Sequence, residues 1–70
     1  MMPVCLLKNG ESGIIKKISG KDETRRHLAE LGFVVDEKIT VIASMGGNVI
    51  LDVKGSRIAL DRSMASRIMV

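Results

Sequence analysis

The chain of 70 residues contains no tryptophan and no tyrosine, and Phe33 is its only aromatic residue. This scarcity argues against two functions common among small β-domains. Grooves for proline-rich peptides are walled with aromatic rings, and platforms for single-stranded nucleic acid stack bases on them. Cysteine is equally sparse. Cys5 stands alone, so no internal disulfide can form, and the reducing cytosol is the expected compartment. Flanked by Val4 and Leu6, Cys5 reads as a small apolar core residue rather than a soft metal ligand or redox switch. Residues Met1 to Lys8 carry neither a basic n-region nor an apolar stretch of signal-peptide length. No apolar run approaches the ~20 residues that span a bilayer. Direct membrane insertion is therefore not expected, and work at the inner face of the plasma membrane would need a partner to recruit the chain.

Catalytic signatures are missing as well. None of the serines sits in a G-x-S-x-G elbow. The segment Gly10-Glu11-Ser12-Gly13 lacks the Gly-Lys-Ser/Thr ending of a phosphate loop and precedes a strand, not a helix. No enzyme activity and no required cofactor are expected.

What is present describes one small folded domain, residues 1–70. The composition is 46% hydrophobic and 27% charged, balanced for a globule rather than a disordered segment. A chain of this size leaves much of its surface exposed and little room for a deep internal cavity. The net charge of +3 favours an acidic partner surface or the face of an anionic membrane. Acidic residues interrupt the basic ones throughout, so no basic arm forms and no nucleic acid partner is expected.

Turn signals divide the chain into short β-segments around one helix. Gly13–Ile18 reads as a first strand, opened by Asn9-Gly10 and closed by Ser19-Gly20. A helix follows over Glu23–Glu30, with Asp22 as N-cap and Gly32 as the left-handed residue beyond its end. Phe33 is then expected to fold back onto Leu28. Thr24, Leu28 and Leu31 share one narrow apolar face, while Glu23, Arg26 and Glu30 share the other. The β-branched runs Lys38–Ala43 and Asn48–Val53 are joined by Met45-Gly46-Gly47, a hairpin signal. Lys54-Gly55-Ser56 leads to a strand over Arg57–Leu60. A single helical turn capped by Asp61 and a last strand over Arg67–Val70 complete the pattern. Five short strands and an inserted helix predict an all-β fold, a small closed or nearly closed barrel in which closure removes exposed edges.

The order and spacing Leu7-x-x-Gly10, Gly13-x-Ile15-x-x-Ile18 and Arg25-x-x-Leu28-x-x-Leu31-Gly32-Phe33 resemble the FeoA family of ferrous iron transport proteins. The likeness continues through Ile39-x-Val41, Val53-Lys54-Gly55-x-Arg57-Ile58-Ala59-Leu60, Ala65, Ile68 and Val70, so it covers nearly the whole chain. It implies an SH3-like barrel with the helix between the first two long strands. It also implies a cytoplasmic, non-enzymatic accessory that binds and modulates FeoB, the membrane ferrous iron permease with a GTPase domain. The same module looks like the C-terminal domain of metal-dependent repressors, which supports an alternative role in metal binding or sensing. Two positions depart from the family pattern. Val35-Asp36 stands where relatives often have Pro-Gly, and Asn48 stands where a Pro is common.

Two groups of residues are candidates for function. His27, with Glu23 one turn before it and Glu30 three residues after, could offer a divalent transition metal (Fe2+, Mn2+ or Zn2+) an imidazole and two carboxylates. The plainer reading is a solvated face with weak Arg26–Glu30 and His27–Glu23 ion pairs. Arg25, Arg26, Val34, Val35 and Met45, with Lys16 and Lys17, could form a partner surface, apolar anchors beside positive charge. The plainer reading there is that Val34 and Val35 simply begin the second strand. A homodimer formed by edge pairing is a further alternative.

Overall fold

The computed structural model describes all residues 1–70. Its elements are β1 (Ser12–Ile14), β2 (Lys17–Ile18), α1 (Asp22–Glu30), β3 (Lys38–Met45), β4 (Asn48–Val53), β5 (Ser56–Asp61), α2 (Arg62–Ala65) and β6 (Ile68–Met69). A 3-10 turn at Val4–Leu6 precedes them. The strands form a four-stranded antiparallel sheet in the order β1-β3-β4-β5 and a smaller sheet pairing β2 with β6. The N-terminus extends the smaller sheet, because Pro3 bridges to Met69 while Met2 and Val70 exchange both backbone hydrogen bonds at 2.8 Å.

Side-chain alternation places the core between the two sheets. In β4, Val49, Leu51 and Val53 are buried while Ile50 and Asp52 face outward, the period of two that a half-buried strand imposes. Their neighbours on the inner face are Ile39 and Val41 from β3 and Leu60 from β5. Val4, Ile15, Leu28, Phe33, Ala65 and Ile68 complete a single cluster of 12 buried residues. No buried side chain is polar or charged.

The predicted first strand is in fact two strands. Ile15 N–H donates to Glu37 on the β3 side at 2.9 Å, and Lys16 N–H donates to Met69 on the β6 side at 2.8 Å. The chain thus changes sheets between these residues. A hydrophobic pattern reports which face is buried, not which strand is the partner, so only the break in alternation at Lys16-Lys17 marks the change. Gly13 permits a close crossing beside this corner. A Cβ there would lie 3.0 Å from the Cβ of Val70, a contact tight enough that Val70 would have to shift to admit a side chain.

Helix α1 starts one residue earlier than predicted. Lys21, not Asp22, occupies the N-cap, and no side chain caps the helix. Asp22 lies in the first turn, where its charge still suits the helix dipole, and it pairs with Arg25. The other end matches expectation. Gly32, at φ +105°, donates to Ala29, and Phe33 N–H donates to Leu28 at 2.9 Å, the two bonds of a Schellman ending. Leu28 and Phe33 are both fully buried, so the termination also supplies the hydrophobic contact that fixes the helix on the core.

The hairpins follow their turn chemistry. Gly46 and Gly47, at φ +53° and +88°, form a two-residue turn between Met45 and Asn48, as a type I′ connection requires. Lys54-Gly55 does the same between Val53 and Ser56. The single turn of α2 is capped as predicted, with the Asp61 carboxylate accepting from Met64 N–H at 2.7 Å.

Candidate functional site

No pocket opens on the molecule, and the candidate anchors lie on its exposed surface. The candidate anchors fall at two separate places. Val34 to Glu37 form a β-turn closed by Glu37 N–H to Val34 C=O at 3.1 Å, and Asp36 takes φ +76°. This explains the Val35-Asp36 departure. The third turn position needs a positive φ that glycine adopts freely and proline favours before it; aspartate tolerates the same conformation better than most residues. Val34 and Val35 therefore belong to a turn and do not begin the strand. Val34 is half-buried, whereas Val35 is 53% exposed.

That turn is fastened to the corner between β1 and β2, since Asp36 N–H donates to Ile15 C=O at 2.8 Å. Exposed Lys16 and Lys17 continue directly from this corner. Ile14, 39% exposed, precedes it and lies opposite Lys38. The structure therefore groups Ile14 and Val35 with Lys16, Lys17 and Lys38, while neither ion pair of the molecule engages these lysines. Ile14 and Lys38 were absent from the predicted surface. The signal for Ile14 was in the sequence nonetheless: with Ile15 facing the core, strand alternation turns Ile14 outward.

Met45 is 63% exposed, but it ends β3 at the opposite extremity from Lys38. Seven strand steps separate them, roughly 23 Å at about 3.3 Å per residue. Met45 thus occupies a different region from the Val35 turn. Arg25 and Arg26 are exposed on α1. Arg25 is engaged by Asp22, and Arg26 is free of ion pairs.

Glu23, His27 and Glu30 are likewise exposed on α1. The expected Arg26–Glu30 and His27–Glu23 ion pairs do not form; the two ion pairs present are Arg25–Asp22 and Lys54–Glu37. No set of three His, Cys, Asp or Glu side chains is gathered as a cation site. Cys5 is partly buried against the core cluster, the place expected of a small apolar residue. No helix is long and apolar enough to cross a membrane.

Comparison with known proteins agrees with this architecture. The FeoA domain family model matches residues 2–70. A relative from Methanocaldococcus jannaschii that carries the name Fe(2+) transport protein A is 39% identical, across 100% of this chain and 85% of its own. A crystal structure described as an iron uptake regulatory protein, FeoA, superposes with a TM-score of 0.88 at 31% identity, covering 96% of this chain and 89% of the other. Stenotrophomonas maltophilia FeoA, crystallised with zinc and described as a prokaryotic SH3 domain protein, superposes with a TM-score of 0.78 at 29% identity over 90% of this chain and 81% of its own. An SH3-like barrel with an inserted helix, matched along its length in sequence and structure, identifies the chain as a member of the FeoA family, the non-catalytic accessory domains of ferrous iron transport.

Proposed function

We propose that this protein is a cytoplasmic accessory of ferrous iron uptake that binds the permease FeoB, or its GTPase domain, and modulates transport. The observation that carries this reading is the pairing of exposed Ile14 and Val35 with the free cations Lys16, Lys17 and Lys38 on a molecule without a pocket. Apolar anchors exclude water from a contact, and surrounding charge steers the encounter with an acidic face. Arg26 on α1 is a further exposed cation without an ion pair. Co-purification with detergent-solubilised permease, in both its GDP and GTP-analogue states, tests the reading. Retention in at least one state is expected, and absence from both would contradict it.

A second reading assigns Glu23, His27 and Glu30 to a divalent transition metal. That the Stenotrophomonas relative was crystallised with zinc supports metal binding in general; on this chain the metal would take the His27 imidazole with one or both carboxylates, water filling the remaining positions. Titration with Fe2+, Mn2+ and Zn2+ should then show binding that His27→Ala abolishes. Equal affinity in the two proteins would remove the helical site.

A further inference from the structure

The larger sheet ends in a strand whose outer edge is unpaired. β5 bonds only β4 within its sheet. The two-residue turn at Lys54-Gly55 makes Val53 and Ser56 a hydrogen-bonded pair, and antiparallel alternation repeats that pairing at Leu51–Ile58 and Val49–Leu60. The next such pair is visible directly, where Arg62 N–H donates to Gly47 C=O at 3.0 Å. Arg57 and Ala59 therefore turn both backbone groups away from the sheet, and Asp61 its N–H, while the Asp61 C=O serves α2 as its N-cap. Neither Arg57 nor Ala59 makes a backbone bond outside the ladder. All three residues are exposed, including Ala59 with its single methyl group, so the chain beside them is accessible.

Natural sheets usually protect such an edge with a proline, an inward charge or a bulge. β5 has no proline, inward charge or bulge, since the one register shift of the sheet lies in β3, between Val41 and Ala43, and the exposed charges it does carry are of opposite sign, Arg57 and Asp61. Its edge reads instead as cation, small residue, anion along one face. That order is self-complementary under a two-fold axis. With Ala59 opposite Ala59 of a second copy, Arg57 faces Asp61 of that copy at both ends. Ile58 falls opposite Leu60 of the second copy on the inner face. Arg57 has no ion-pair partner of its own, although Asp52 lies across from it in β4. The Asp61 carboxylate uses one oxygen, Oδ1, for the α2 cap, leaving the other to accept from a guanidinium.

We infer that β5 is a homodimerisation edge, joining two copies antiparallel through Arg57, Ala59 and Asp61 into one eight-stranded sheet. The occupant is a second copy of this chain because the charge order matches itself. Opposite charges directly across a strand pair stabilise it, whereas like charges oppose it. A six-residue edge buries far less surface than a permanent interface, so the dimer is a weak one governed by concentration.

Sedimentation equilibrium from about 10 µM to about 1 mM, the range in which weak association registers, tests the inference. The parent protein should pass from monomer to dimer. Ala59→Pro, which removes a donor used only between copies, should remain monomeric. Arg57→Asp should too, because it sets aspartate against Asp61. Asp61→Arg should fail alone for the opposite reason. An equimolar mixture of Arg57→Asp and Asp61→Arg should associate again, since the heterodimer restores both oppositely charged pairs. A parent that stays monomeric throughout, or variants that dimerise as the parent does, would overturn the inference; so would a folded mixture that fails to associate. If loss of the α2 cap unfolds Asp61→Arg, the other two variants decide alone.

Discussion

Gly32 shows what a single residue fixes in this fold. It holds φ +105° at the end of α1, and a Cβ there would meet Val53 only at an ordinary 3.6 Å. The cost of substitution is therefore conformational rather than steric. Gly32→Ala should destabilise the domain by about 1–2 kcal/mol, read as a lower urea midpoint with an unchanged slope. This site was legible in sequence because every part of it is local: helix, glycine and the returning Phe33 lie within a few positions. The positive φ of Asp36 left only an indirect trace, its place where relatives often have glycine. The pairing of charges on α1 was not legible. Asp22, Glu23 and Glu30 all offer helical partners to Arg25, Arg26 or His27, and spacing alone does not choose among exposed, solvated pairs. The structure selects Arg25–Asp22.

At the scale of elements, the two helices are held by different means. α2 is a single turn whose Asp61 cap satisfies Met64 N–H, and it has no length on which to draw. α1 has no side-chain cap and is fastened instead by Leu28 and the Schellman ending. Thermal unfolding in dilute solution should separate these cases. Asp61→Ala should cost about 1 kcal/mol, and Asp61→Ser much less, as expected for a cap. Asp22→Ala should cost under about 1 kcal/mol, because it removes an exposed ion pair and one first-turn charge favoured by the helix dipole. Element type and order were readable from alternation and turn residues, whereas strand partners were not. The one sequence trace of the β1–β2 corner is Lys16-Lys17, two consecutive exposed residues that break the alternation. The N-terminal 3-10 turn carried no periodic signal, yet it delivers Val4 to the core.

Across the whole molecule, 12 buried residues form one cluster that holds both sheets and α1 together. Small domains of this kind retain only about 5 kcal/mol of net stability near the low end of the usual range. Leu28→Ala, which leaves a cavity under the helix, should remove about 2–5 kcal/mol. The expected result is a population unfolded well below the parent's melting temperature and loss of dispersed amide resonances. His27→Ala, exposed on the same helix, should leave stability unchanged in metal-free buffer.

The tertiary fold also decides which exposed residues can act together. Sequence spacing suggested one surface containing Val35 and Met45. The length of β3 separates them, while the corner bond from Asp36 to Ile15 gathers Val35, Ile14 and the lysines. The most direct measurement is therefore the affinity of purified FeoB for three immobilised proteins: the parent, Val35→Asp combined with Lys16→Glu and Lys17→Glu, and Met45→Asp. The parent should bind, with affinity falling as salt rises. The triple variant should bind at least tenfold more weakly, and Met45→Asp should stay close to the parent. Undiminished binding by a folded triple variant would contradict the assignment of this surface, and no binding by the parent would contradict docking on the permease altogether.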